Sequence, residues 1–269
     1  MSGADGTGDA AAVEVSGVSK VFSQGNDEVT ALESVDLDVA AREFVSLIGP
    51  SGCGKSTLLR LVADLVEPTT GQVRVFGKTA REARKDQDYG IAFQAAGLLP
   101  WRSVTANIEL PLELHGVGKV QRRERARELL ELVGLGDFAK ARPEQLSGGM
   151  QQRVAIARAL AYQPDILLMD EPFASVDAQT RGDLEDLILE VRERFDMTIL
   201  FVTHDIDESV YLADRIVVLS PSPTEVREIL DVGLPRPRDQ VETKELPEFA
   251  HLRAHVYRLI KRQTDVAAA

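Results

Sequence analysis

Short apolar runs alternate along this chain with stretches whose apolar positions recur every three or four residues. Phe44–Ile48 is nearly all apolar, as expected for a strand buried on both faces. Ile166–Met169, Thr198–Val202 and Arg215–Leu219 are further apolar runs of central-strand length. Val13–Ser19 and Val35–Val39 alternate with period two, and Gln72–Phe76 reads as another strand. Helices are expected from about Gly54 to Leu65 and over Asp177–Phe195, where Leu184, Leu187, Ile188 and Val191 share one face. Between Tyr89 and Tyr162 the pattern turns helical, with a charged amphipathic stretch over Val120–Val133 and another over Gly149–Tyr162. This reads as a helical insertion between strands of one sheet. Leu234-Pro235-Arg236-Pro237-Arg238 should be extended, and Phe249, Leu252, Val256, Leu259 and Ile260 mark one last helix. The expected organisation is a disordered tail over 1–12, an α/β domain over 13–232 with a helical subdomain at about 95–162, and a C-terminal extension over 233–269 with one helix.

Composition narrows the classes of function. The 269 residues are 44% hydrophobic and 28% charged, ordinary for a globular protein. Lys plus Arg number 31 against 43 Asp plus Glu, a formal charge of −12. That balance disfavours nucleic acid as a partner, and adhesion to anionic lipid. One cysteine excludes an intrachain disulfide framework and a cysteine-based zinc site. No run approaches the ~18–20 apolar residues that span a bilayer. The first dozen residues lack the basic and apolar regions of a signal peptide. A soluble cytosolic protein is expected. His251 and His255 lie four apart, but a solvated helix face explains them better than a metal site.

The chemistry is concentrated in a few motifs. Gly49-Pro50-Ser51-Gly52-Cys53-Gly54-Lys55-Ser56 fits G-x-x-x-x-G-K-[ST] between a strand and a helix. Its glycines let backbone N–H groups approach phosphate oxygens, and the following helix start adds a positive dipole end. Lys55 would reach the β- and γ-phosphates of ATP, the Ser56 hydroxyl would hold Mg²⁺, and Thr57 is a further phosphate contact. Ile166-Leu167-Leu168-Met169-Asp170-Glu171 supplies a buried strand ending in two carboxylates. Asp170 would support the Mg²⁺ shell, and Glu171 would polarise an attacking water as general base.

Leu146-Ser147-Gly148-Gly149-Met150-Gln151-Gln152-Arg153, taken with the P-loop, Gln94, Asp170-Glu171 and His204, resembles the ATP-binding-cassette ATPases over about Val13 to Arg262. The resemblance implies a P-loop NTPase core, with a mostly parallel sheet, an antiparallel β subdomain and a helical signature subdomain. It implies that Ser147, Gly148 and Gly149 face the nucleotide of a second, identical subunit, so that two chains pair head to tail around two ATP molecules. It further implies that Gln94 senses Mg²⁺ and the attacking water, that Asp177 lies in the loop crossing the dimer, and that His204 contacts the γ-phosphate and organises Glu171. Phe22 matches the aromatic that stacks on adenine.

Phe93-Gln94, Leu98-Leu99-Pro100-Trp101, Asp170-Glu171-Pro172-Phe173 and Thr203-His204-Asp205-Ile206-Asp207-Glu208 look like the importer cassettes for nitrate, sulfonates, taurine and pyrimidine precursors. Such cassettes sit on the cytoplasmic face of the membrane, bound to a permease dimer that receives solute from an extracytoplasmic binding protein. Residues 94–101 would then receive the permease's coupling helix. Three positions depart from the family pattern: Ala174-Ser175-Val176 before Asp177, Asp64 for a common glycine, and Arg42 for another. A non-transport cassette ATPase of DNA maintenance or translation is the alternative. The chain from Lys55 to Ser147, a separation of 92 positions, holds no sustained heptads, and only one cassette is present, which disfavours it. The place of Cys53 inside the P-loop predicts that thiol alkylation blocks ATP binding.

Overall fold

The computed structural model describes residues 11–25 and 27–267. The expected tail therefore lies outside the described residues, except that Ala11 and Ala12 already belong to the first strand. Ala12 is fully buried, so its small side chain is part of the core.

Two sheets form the frame. β1 (Ala11–Gln24), β2 (Asp27–Ala40), β4 (Thr70–Val75) and β5 (Lys78–Thr79) make an antiparallel sheet in the order β2-β1-β4-β5. β3 (Phe44–Ile48), β6 (Tyr89–Phe93), β7 (Ile166–Asp170), β8 (Thr198–Val202), β9 (Arg215–Leu219) and β10 (Val226–Asp231) make the second, ordered β10-β9-β3-β8-β7-β6. Its pairs are parallel except at β10, which runs antiparallel on the edge. Every residue of β3, β7 and β8 is buried, which is why these strands read as continuous apolar runs.

Side-chain alternation divides the core in two. Phe44, Ile48, Leu167, Met169 and Phe201 face one cluster, while Val45, Leu47, Ile166, Leu168 and Leu200 face the other. Helix α1 (Lys55–Val62) packs in the second cluster with the antiparallel sheet. The first cluster also takes in the insertion helices α3 (Val104–Leu114), α4 (Lys119–Leu132) and α5 (Gly148–Ala159), together with α6 (Ala178–Phe195). Phe201 is its aromatic centre, with ring centroids 5.8 Å from Phe44 and 5.5 Å from Phe173.

Several short elements escape a periodicity reading. α2 (Ala80–Asp86) and α7 (Ile206–Leu212) are each 7 residues long, too short to display a helical stripe. β10 alternates half-buried and exposed positions with none fully buried, so its sequence Val-Arg-Glu-Ile-Leu-Asp carries no strong apolar signal. The C-terminal extension holds two helices rather than the single one expected. A one-turn helix, α8 (Glu242–Glu245), precedes α9 (Pro247–Ala267), and Pro247 at the start of α9 suits a first helical turn, where its missing N–H costs nothing.

That extension is tied to the core. Arg236 Nη2 donates to Asp214 Oδ1 at 2.7 Å and Arg192 Nη2 of α6 to Oδ2 at 2.5 Å, while the Phe44 N–H reaches Oδ2 at 2.9 Å. Arg238 donates to the carbonyls of Tyr211 and Ala213. Val232, Leu234, Phe249 and Val256 are buried in the same cluster as the sheet.

The two departures from glycine are informative. Arg42 has φ 65° and Asp64 has φ 48°, so both side-chain-bearing residues hold the left-handed conformation that glycine adopts freely. Asp64 is steadied by Arg84, whose Nε lies 2.9 Å from its carboxylate. Arg42 is held through its N–H, which donates to Thr198 Oγ1 at 2.8 Å.

Gly90 on the edge strand β6 sets the distance to α5. A Cβ there would come within 2.2 Å of the Ala159 carbonyl oxygen. Gly90→Ala should force sheet and helix apart and lower stability by about 1–3 kcal/mol, read as a lower urea midpoint with an unchanged slope.

Candidate functional site

β3 and β7 both pair in parallel with β8, so their C-terminal ends open on the same edge of the sheet. β3 runs into residues 49–54 and then α1. Gly54, with φ 100°, ends the loop in a conformation closed to other residues, and Lys55 begins the helix. β7 delivers Asp170 and then Glu171. The two loops meet at a hydrogen bond, Ser56 Oγ donating to Asp170 Oδ1 at 2.6 Å. Lys55 is nearly buried, and its Nζ donates to the carbonyls of Gly49 and Pro50, each at 2.9 Å. A cavity of about 200 Å³ is lined by residues 52–57, Ala31 and Glu171.

Glu171 sits at φ 47°, a left-handed conformation unusual for a carboxylate-bearing residue, pinned by its N–H to the Val202 carbonyl at 2.9 Å. Such backbone strain costs about 1–3 kcal/mol and persists only where surrounding contacts impose it. The turn aims the Glu171 carboxylate at His204, whose Nδ1 lies 3.1 Å from Glu171 Oε2.

His204 follows β8 and immediately precedes the cap of α7. Asp205 is that cap, accepting from the N–H groups of Asp207 at 2.8 Å and Glu208 at 3.2 Å. Thr203 Oγ1 donates to Glu208 Oε2 at 2.6 Å. Arg181 of α6 binds this turn from below, with Nη1 3.0 Å from Asp205 Oδ2 and Nε 3.5 Å from Glu208 Oε1. Its Nη2 also reaches the Val176 carbonyl at 3.5 Å, next to Asp177. Arg181 thus joins the loop before α6 to the loop bearing His204. No sequence pattern singled it out, because an arginine in a helix first turn reads as surface.

The remaining expected residues lie outside the cavity lined by the P-loop. Phe22 is exposed on β1, with Lys20 Nζ 5.0 Å from its ring centroid. Gln94 is exposed just beyond β6. Gln152 of α5 fixes that strand end by donating to the Phe93 carbonyl at 3.0 Å, and Arg158 holds the carbonyls of Ala96 at 2.7 Å and Gly97 at 2.8 Å. Ser147 caps α5, its Oγ accepting from the Met150 N–H at 3.3 Å, and Gly148 and Gly149 form the first turn. Asp177 caps α6, accepting from Thr180 N–H at 3.0 Å and Thr180 Oγ1 at 2.7 Å, bonds that hold its carboxyl below the usual range.

Known proteins match this arrangement. The family profile described as ABC transporter matches residues 32–174. An uncharacterised ABC transporter ATP-binding protein of Methanocaldococcus jannaschii, MJ0412, is 45% identical over 249 residues, covering 93% of this chain and 91% of that one. The nitrate import ATP-binding protein NrtC of Synechococcus elongatus is 42% identical over 250 residues, covering 91% of this chain but 38% of its own length. The bicarbonate transport ATP-binding protein CmpC of Synechocystis is 43% identical over 258 residues, again spanning 38% of that protein. Among solved structures, the dimeric post-hydrolysis cassette MJ0796 bound to ADP and Pi superposes with a TM-score of 0.73 at 37% identity, covering 82% of this chain and 98% of that one. The chain belongs to the ABC transporter family, as an ATP-binding cassette ATPase built on the P-loop NTPase fold. No helix among the described residues is long and apolar enough to cross a membrane.

The placement of Cys53 weighs against the expected alkylation. Its side chain is 1% exposed, and burial raises its pKa above the ordinary thiol value. A buried, protonated thiol is a poor nucleophile, so alkylation should not report on the P-loop in the native protein. Iodoacetamide should label Cys53 at least tenfold more slowly in the native state than in denaturant, followed by mass spectrometry.

Glu208 is the titratable group to test beside His204. Burial pushes its pKa up to about 7, from an ordinary value of 4.5. Between those two pH values the native state keeps a proton that the unfolded chain has lost. Its contribution to stability therefore falls as pH rises through that window. Glu208→Gln should remove the slope, so that the thermal midpoint of the variant gains on the wild type between pH 5 and pH 8.

Proposed function

We propose that this chain is the ATP-hydrolysing subunit of a membrane importer for a small oxyanion, acting as a head-to-tail homodimer beneath a permease. The observation that carries the catalytic part is the convergence of Lys55, Ser56, Asp170, Glu171 and His204 at one sheet edge, with Glu171 and His204 in contact. The names of the nitrate and bicarbonate relatives support the solute class.

In this reading the loop over Gly49, Pro50, Ser51, Gly52, Cys53 and Gly54 cradles the phosphates with its N–H groups, and Thr57 adds a contact. Lys55 exchanges its carbonyl partners for β- and γ-phosphate oxygens. The hydroxyl and carboxylate already 2.6 Å apart at Ser56 and Asp170 are the hard oxygen donors that suit Mg²⁺, with Gln94 as a third ligand. Held by these residues, Mg²⁺ would supply positive charge against the phosphates. Glu171 takes the proton from the attacking water, and His204 holds Glu171 and the γ-phosphate in register. Phe22 offers its exposed ring to adenine.

Ser147, Gly148 and Gly149 present helix-start N–H groups to the nucleotide of the second subunit, and Asp177 lies at the crossing. Segment 94–101, with Trp101 68% exposed, meets the permease. The permease in turn receives solute from an extracytoplasmic binding protein. Coupling follows because ATP binds the closed dimer better than the open one.

Two substitutions test this. Glu171→Gln should keep ATP affinity and lower turnover by about 10²–10⁴; a variant that turns over normally removes Glu171 from the role of base. Ser147→Arg should bind ATP at its own P-loop but fail to dimerise with ATP by light scattering, and wild-type dimerisation would contradict the trans site.

A further inference from the structure

A larger cavity than the P-loop one lies near the catalytic cluster. A cavity of about 880 Å³ lies between the start of α7 and α9, with His204 on one wall. The α9 wall carries Arg253, Tyr257, Arg258 and Lys261, which recur at helical spacing on one face. This is a cationic face on a chain of net charge −12.

The charges there are unevenly matched. Asp205, on the opposite wall, is committed to Arg181 at 3.0 Å and to capping α7. Asp207 Oδ1 lies 2.8 Å from Arg253 Nε, yet that oxygen is buried and accepts no hydrogen bond, so the pair is close but out of line. Arg258 has no ion-pair partner among the described residues. Beside it the Tyr257 ring is 55% exposed.

We propose that this cavity is a second nucleotide site, separate from the P-loop. Tyr257 supplies a flat face on which an aromatic base stacks, and Arg253, Arg258 and Lys261 bind the phosphates. The volume falls within the range of small-molecule sites, of which an inorganic oxyanion would fill only a small part. Phosphate oxygens would give Arg253 the in-line acceptors that Asp207 does not. Asp207 stands in the first turn of α7, three residues beyond His204, so a phosphate that draws Arg253 away from it acts next to that histidine.

Equilibrium dialysis of the full-length chain with ADP tests the site by stoichiometry. The wild type should bind two ADP per chain. Lys55→Ala should lose the P-loop molecule and keep the other. Arg258→Glu and Tyr257→Leu, both at exposed positions outside the catalytic cluster, should lose the second molecule and keep the P-loop one. A count of one in the wild type, or a count that neither Arg258→Glu nor Tyr257→Leu lowers, overturns the proposal. A count unchanged by Lys55→Ala would instead fault the P-loop reading, so the two failures are distinguishable.

Discussion

The parallel pairing of β3, β8 and β7 is the constraint on which the site depends. Residue partners such as Leu47 with Val202, and Val202 with Asp170, place three strand ends on one line. From that line come the phosphate loop, the histidine and the two carboxylates, each by one short turn. A slip of one residue in any strand would turn its buried side chains to the opposite face, and these strands are apolar on both. Register is held instead by polar anchors at their ends. Asp214 receives the Phe44 N–H, and the Thr203 N–H reaches the Leu47 carbonyl at 3.2 Å.

Strain and support then shape the chemistry at the edge. The left-handed turn at Glu171 is sustained by one backbone hydrogen bond to β8 and by its place between two packed loops. The histidine loop is braced by Thr203, Asp205 and Glu208, and Arg181 ties that brace to the loop before α6. Asp177 closes that loop at the start of α6. It caps α6 through Thr180, and Thr180 packs against Gly149 at the start of α5. The signature turn and the loop before α6 are therefore in mechanical contact within one chain.

The parts of the fold that the sequence made legible are those whose physics is local. Phe44–Ile48 and Thr198–Val202 were readable to the residue because burial on both faces leaves them apolar except at Ser46 and Thr198. The P-loop was readable because the backbone conformation at Gly54 and the charge at Lys55 leave few substitutes. What escaped was short or non-local. α2 and α7 are too brief for a periodic stripe, and β10 is an edge strand. Arg181 and Gln152 act on residues 24 and 59 positions away, pairings that no local pattern encodes. The burial of Cys53 is hidden from the sequence for a related reason. Its position in the loop was plain, but its inward orientation depends on how closely Gly49 passes, with the sulfur 3.0 Å from where a Cβ would stand.

Asp214 has a consequence for how the chain can be handled. The cassette's last strand ends at Asp231, which invites trimming just beyond it. Yet Arg236 and Arg238, past that boundary, supply charge and hydrogen bonds to Asp214 and to the end of α7, and Phe249 and Val256 seal the apolar layer beneath. A chain cut at 232 would keep the P-loop, Asp170-Glu171, the 146–153 motif and His204, and lose the guanidinium that Arg236 brings to the carboxylate anchoring β3. The boundary visible in the motifs is thus not a boundary of the folded unit, and a minimal cassette has to be drawn around the C-terminal helices as well.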